Sequence, residues 1–124
     1  MSKYTPTFSE PDYTGGVEIL CPCCGDRNLH IKNSEVYHRI DGEDSVTLRT
    51  RINPFGGKVF TSRDRSKQNP SPRRDGLRLN FRCENCEYGL NGHSNGLPQS
   101  LEIFQHKGVT HMRWSPTPEN KESL

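Results

Sequence analysis

The chain has 124 residues, 17 Lys and Arg against 15 Asp and Glu, and only 29% hydrophobic residues. That is one domain at most, with too little apolar material for a large core and too little net charge to hold the chain open as a coil. A core this small needs a staple, and five cysteines are at hand. No apolar run approaches the ~20 residues of a membrane span. The N-terminal Met1-Ser2-Lys3-Tyr4-Thr5-Pro6 lacks the apolar stretch of a signal peptide, so cytoplasmic placement is expected and structural disulfides are not. No alanine, with 11 Gly and 9 Pro, argues against a helical bundle. The expected class is mostly β: a small antiparallel sheet stapled by metal.

In chain order, residues 1–16 read as a loose arm that Tyr4, Phe8 or Tyr13 could dock. Residues 17–114 read as the folded body and 115–124 as a disordered tail. Within the body, Leu29-His30-Ile31 and residues 36–40 are weak strand candidates. Val46-Thr47-Leu48-Arg49-Thr50-Arg51-Ile52 alternates cleanly between apolar and polar, as a half-buried strand does. Leu77-Arg78-Leu79-Asn80-Phe81-Arg82-Cys83 follows, then a strand around Leu101-Glu102-Ile103 and another at Thr110-His111-Met112-Arg113-Trp114. A helix over 98–105 is compatible with the pattern but not required by it. Asp41-Gly42, Asn53-Pro54-Phe55-Gly56-Gly57, Asn91-Gly92 and Lys107-Gly108 are hairpin turns by their chemistry. Residues 61–76 show no periodicity and carry five basic residues against two acidic ones, which reads as a long functional loop. Five to seven strands are expected.

Cys21-Pro22-Cys23-Cys24-Gly25 and Cys83-Glu84-Asn85-Cys86 are two knuckles. A spacing of two residues lets a tight turn aim both thiolates at one ion, and Gly25 supplies the positive φ such a turn needs. Cys21, Cys24, Cys83 and Cys86 make a closed four-thiolate set of the structural zinc type, one ion per chain. Cys23 is the spare, since using it in place of Cys21 would strain the chelate. The 58 residues between the knuckles far exceed the ~15–20 of a compact ribbon, so an extra sheet is expected between them.

Arginine outnumbers lysine 11 to 6. If Val46, Leu48, Ile52, Leu77, Leu79, Phe81, Met112 and Trp114 point inward, then Arg49, Arg51, Arg78, Arg82 and Arg113 point outward. On a shared face they would form a basic patch, extended by Arg73 and Arg74 in the loop, and arginine forks suit phosphates and base edges. The competing reading has these arginines solvating a thin sheet and pairing with Glu18, Glu35, Glu84, Glu87 and Glu102. Tyr37, Phe55, Phe60 and Tyr88 are stacking candidates for single strands, although core packing suits most of them better. The five histidines show no helical pairing that would make a second metal site or a catalytic centre. The acidic Asp41-Gly42-Glu43-Asp44 reads as a solvated turn.

Three segments together resemble a family of small, functionally uncharacterised zinc-ribbon proteins from bacterial and bacteriophage genomes. They are Cys21-Pro22-Cys23-Cys24-Gly25 with Leu29-His30; Asn69-Pro70-Ser71-Pro72-Arg73-Arg74-Asp75-Gly76-Leu77 running on to Phe81, Cys83-Glu84 and Cys86; and Leu101 with Gln105-His106-Lys107-Gly108, Thr110 and Trp114. The resemblance spans about 21–114. It implies a zinc ribbon with an added β-sheet and Cys21, Cys24, Cys83 and Cys86 as ligands, and it implies no activity. It also draws attention to Arg73-Arg74-Asp75-Gly76 and to the Gln105-His106-Lys107-Gly108 turn, as turn chemistry with a knuckle cap or as a recognition patch near the metal. The expected function is a non-catalytic, zinc-stabilised module of phage or mobile-element origin that binds DNA or RNA through Arg49, Arg51, Arg73, Arg74, Arg78, Arg82, Arg113 and Lys107. The alternative is a structural or protein-interaction role, in a virion or as an adaptor, signalled by self-association or an apolar patch around Phe55, Phe60 and Tyr37. No membrane partner or small-molecule substrate is implied.

Overall fold

Alternating residues do become strands, and there are six of them. The computed structural model describes residues 5–40, 47–53, 57–64, 68–71, 74–88 and 96–117. In chain order the strands are β1 (Leu29–Arg39), β2 (Thr47–Asn53), β3 (Lys58–Asp64), β4 (Gly76–Cys83), β5 (Gln99–His106) and β6 (Val109–Pro116). A single helical turn, α1 (Glu84–Tyr88), follows β4. The strands form one sheet in the order β3-β2-β1-β4-β5-β6, antiparallel throughout. No helix among the described residues is long and apolar enough to cross a membrane.

Three differences from the sequence reading have physical causes. The two weak segments at 29–31 and 36–40 are one strand, β1, joined through a bulge between Ile31 and Asn33. A bulge breaks period-two alternation, so neither half reads as part of the other. Residues 98–105 are not helical: Ser100 and Glu102 face one side, Leu101 and Ile103 the other, and β5 pairs with both β4 and β6. Residues 61–64 belong to β3, an edge strand held by β2 alone, which needs little apolar periodicity to form. The expected turns at Asp41-Gly42 and Asn91-Gly92 lie outside the described residues.

The β5–β6 connection follows its sequence closely. Lys107 and Gly108 both take positive φ, 51° and 77°, the two-residue hairpin that matches strand twist. Upstream of the sheet, residues 7–20 form a small hairpin that feeds the first knuckle. Phe8 bridges Ile19, and Ser9 N donates to Glu18 O at 2.9 Å. Tyr13 is almost fully exposed. At the other end, β6 runs to Pro116 and Thr117 N donates to Pro98 O at 2.9 Å.

The two sides of the sheet differ in chemistry. On one side Phe81, Leu101 and Trp114 pack with Cys21, Cys83, Cys86 and Leu97 into the core, and Phe81 meets Trp114 edge to face at 5.8 Å. The opposite side carries Glu35, Tyr37, Arg49, Arg51, Arg78 and Glu102, all buried. Residues 68–71 lie across this arginine face. Gln68 O accepts from Arg78 Nη2 at 2.6 Å, and Ser71 Oγ donates to Gln105 O at 2.6 Å. Asn69 closes the turn: its Oδ1 accepts from Ser71 N at 3.1 Å and its Nδ2 donates to Arg74 O at 2.8 Å. Asp75 ties the segment to the sheet, accepting Arg39 N on its side chain at 2.8 Å and Gln105 N on its carbonyl at 3.2 Å.

Gly76 is required by this approach and not by its own dihedrals. A Cβ there would overlap Asn69 Oδ1 and sit 3.1 Å from Pro70 Cδ. Replacing Gly76 with Ala should therefore cost about 1–3 kcal/mol by overpacking, read as a lower urea midpoint with an unchanged slope. A neutral result would mean that residues 68–71 do not press on the sheet.

Candidate metal centre

Each knuckle is a turn whose hydrogen bonds leave the sulfurs facing inward. In the first, Cys21 N donates to Asp26 O at 2.8 Å and Gly25 N to Cys21 O at 2.9 Å, and Gly25 takes φ 79°. Cys23 N points at Cys21 Sγ, 3.4 Å away, which is the amide-to-sulfur bond of a metal knuckle. In the second, Cys83 ends β4 and Cys86 lies in α1. Three residues of helix bring both sulfurs to one side. Glu84 N bonds Asn28 O at 3.2 Å, which pins this turn to the start of β1.

The four sulfurs of Cys21, Cys24, Cys83 and Cys86 all lie within 4.8 Å of one another. Cys21 Sγ is 3.8 Å from Cys86 Sγ, and Cys24 Sγ is 3.6 Å from Cys83 Sγ. Four thiolates each ~2.3 Å from a central ion stand about 3.8 Å apart, close to both of these separations, so the set can hold a tetrahedral ion. Cys23 is exposed and stands outside the set, as its spacing implies. Among the described residues this is the one group of three or more Cys, His, Asp or Glu side chains close enough to hold an ion.

Without an ion the thiols titrate unevenly. Burial pushes Cys83 up to about 11 and Cys21 further still. Burial acts upward on Cys24 as well, but bonds from the Asn85 side chain, the Asp26 backbone and the Cys83 and Cys86 thiols outweigh it and bring Cys24 down to about 7. Asn85 is a supporting residue the sequence reading did not single out, although its place between Cys83 and Cys86 puts it at the cluster. Comparison with family models, with curated proteins and with solved structures finds no match to this chain.

The arginines stand otherwise than expected. Arg49, Arg51 and Arg78 are buried, with 4%, 8% and 3% of their surface exposed, and are withheld from any large ligand. The cause is register. Glu35 lies directly across from Arg51 on β2 and Arg78 on β4, and Glu102 lies across from Arg78 on β4 and Arg113 on β6. Glu35 takes Arg49 through Nε at 2.9 Å and through Nη2, and Arg78 Nη2 reaches Glu102 at 2.9 Å. Tyr37 is fully buried among them, donating to Glu35 at 3.1 Å and accepting from Arg78 at 3.2 Å. Pairing with Glu35 and Glu102 was the competing sequence reading, but the pairs are interior and not solvated. Removing one partner of such a pair costs about 3–5 kcal/mol, because a charge is left buried alone. Leu48 and Ile52, expected inside, are the exposed residues of β2.

Of the remaining cations proposed from sequence, Arg74 and Lys107 are exposed, and Arg113 is 46% exposed while holding Glu102 at 2.9 Å. Arg82 is half-buried, and Arg73 lies outside the described residues. Gln105-His106-Lys107-Gly108 is not beside the metal cluster. Phe104 pairs with Gly76 at the start of β4, whereas Cys83 ends that strand, so the turn caps no knuckle. The two motifs the resemblance drew attention to instead meet each other, through Ser71 to Gln105 and Gln105 to Asp75. His30 lies 3.2 Å from Glu84 and His38 3.4 Å from Asp75, while His111 is stacked on Phe104 with His106 beside it, ring centres 6.3 Å apart. His93 lies outside the described residues.

The cluster makes a two-part prediction. Cys83→Ser should lose bound metal and Cys23→Ser should keep it, by elemental analysis of purified protein. Because Cys21 and Cys83 are held as thiols at neutral pH and must bind as thiolates, metal uptake should release at least two protons per ion. Affinity should accordingly rise as pH rises through the neutral range and fall in acid. Titration calorimetry in buffers of different ionisation enthalpy reads the proton count directly.

Proposed function

We propose that this chain is a zinc-stapled binding module with no catalytic centre, and that its ligand is nucleic acid. The observation that carries the first part is the four-sulfur cluster. Four thiolates in a tetrahedron suit zinc by ligand softness and geometry. They fill its coordination, so no position is left for a reacting water, and the ion's work is to hold the fold. The resemblance to small zinc-ribbon proteins supports the same ion.

The nucleic-acid reading now rests on a smaller surface than the eight cations the sequence offered. It is the end of the sheet around the β5–β6 turn, where Lys107 and Arg74 are exposed on segments joined by the bonds between Ser71 and Gln105. Beside them Phe104 is stacked by His111, ring centres 5.4 Å apart, and Arg113 lies 4.2 Å over the same ring. Exposed cations next to a flat aromatic and imidazole surface suit a single strand, with phosphates on the cations and a base on the rings. A second reading, interaction with protein, is favoured by the exposed apolar residues on the other side of the sheet.

The test is a gel shift with zinc-loaded protein and single-stranded and duplex oligonucleotides across a salt series. Affinity should fall linearly with the logarithm of salt. Arg74→Ala and Lys107→Asn should weaken binding alike for all sequences, each lowering the salt slope by about one. Asn is chosen at 107 because it tolerates the positive φ of that turn. No binding at low salt, or binding indifferent to salt, overturns the reading.

A further inference from the structure

The side of the sheet that carries the core is only half covered. Near the cysteines, Phe81, Leu101 and Trp114 are at most 5% exposed. Away from them, on the same side by strand alternation, Leu48, Ile52, Val59 and Met112 are 38%, 43%, 62% and 41% exposed. These residues are not scattered. Register lines up Met112, Ile103, Leu77 and Val36 as direct cross-strand neighbours over four strands, and the same row continues through Thr50 and Thr61 to the far edge. The adjacent row sets Ile52 against Val59. Apolar residues, interrupted by Thr50 and Thr61, therefore run from edge to edge of a sheet whose other side is closed by residues 68–71 and ion pairs. A sheet normally buries such a band against another layer.

We propose that the missing layer is the same face of a second copy, so that two chains stack sheet on sheet. Three observations choose this occupant. The open face carries little charge: among the described residues its titratable groups are Arg63, His38 and Asp75, and the last two lie 3.4 Å apart beside the groove. That composition suits neither nucleic acid nor a charged partner. The face is also self-complementary, with projecting side chains on β2 and β3 and a shallow groove of about 230 Å³ floored by Val36, Leu77, Ile103 and Thr110. A two-fold relation lets each copy's projection meet the other's groove, as an isologous interface requires. Finally, the size is of the right order. Six strands ~4.8 Å apart, open over about half of a ~25 Å length, give roughly 350 Å² in plan, and side-chain relief raises this toward the lower end of the range for specific interfaces. The pairing is independent of the nucleic-acid reading, because the arginine face stays outside and Arg74, Lys107 and Arg113 are left accessible.

The experiment is light scattering on the metal-loaded full chain at micromolar concentration, with metal content and circular dichroism recorded alongside. The expected mass is twice the 14.2 kDa of one chain. The double variant Ile52→Lys and Val59→Lys should run at the single-chain mass while keeping its metal and its β spectrum, since both side chains already face water. Met112→Glu, on the opposite edge strand, should do the same and serves if the double variant fails to fold. Phe60→Lys, on β3 but on the other side of the sheet, should leave the dimer intact. A wild-type chain at the single-chain mass or in larger assemblies overturns the proposal, as does a folded Met112→Glu that stays dimeric or a Phe60→Lys that dissociates.

Discussion

The fold is gathered around four cysteine sulfurs placed to share one ion. Of the seven buried residues in the core, Cys21, Cys83 and Cys86 are three, and Cys24 packs at their edge. Removing the ion would leave four sulfurs gathered with nothing to attract them, beside Phe81, Leu97, Leu101 and Trp114, which alone are too few to order a chain of this length. An ion held there would also join parts that sequence keeps apart. It would tie the first knuckle to the end of β4 and to α1, with the start of β1 held against α1 by the Glu84 to Asn28 bond. Binding free energy on the order of 10 kcal/mol for small zinc modules is comparable with the whole stability of a small domain. In such a chain metal affinity and fold stability are nearly the same quantity.

The second centre of the molecule is built from charge where a larger protein would use Leu and Val. Glu35 and Glu102 each gather arginines from neighbouring strands, and Tyr37 fills the space between. Burying ions is costly, and an apolar replacement of the same shape is often as stable. What such a network adds is specificity. A strand slipped by one residue would move Arg49, Arg51 or Arg78 to the other side and strand two buried carboxylates, whereas a slipped row of valines would lose far less. Residues 68–71 then close over the network, with Gln68 O accepting from Arg78 and Ser71 fixed to Gln105, so the long segment before β4 acts as a cover.

The cysteine cluster was legible because its chemistry is local: two residues of spacing and a glycine of positive φ specify a knuckle before any tertiary contact forms. The strands were legible from alternation, and Lys107-Gly108 from turn chemistry. Which side faces inward was legible in β4 and β6, where Phe81 and Trp114 reach the core, but not in β2. Alternation fixes that Leu48 and Arg49 point opposite ways, but the side that is covered depends on where residues 68–71 fold and on which carboxylates the neighbouring strands place opposite. A chain with more apolar residues would hide this ambiguity, because leucine would win the interior. Here Glu35 and Glu102 sit opposite the arginines, and the interior went to the ion pairs. The long segment at 61–76 was less legible for a related reason. Its basic residues drew attention to a ligand, while Asn69, Ser71 and Asp75 also make bonds that hold its described part against the sheet.

Distance along β4 separates what the two ends of the sheet do. Cys83 and Gly76 are seven residues apart on one strand, about 23 Å, with the metal cluster at one end and the β5–β6 turn at the other. A divalent ion held by four thiolates is a site of net negative charge, but its field is screened over more than a Debye length before it reaches Lys107 or Arg74. Any influence of metal on binding at the far end must pass through the order of the sheet itself. That sheet is continuous: β4 carries Cys83 at its end, Arg78 in the ion pairs and Gly76 under Asn69, so loss of order at one end is felt at the other. A bound metal would therefore act on the distant surface as a condition for its order and not as a graded modulator.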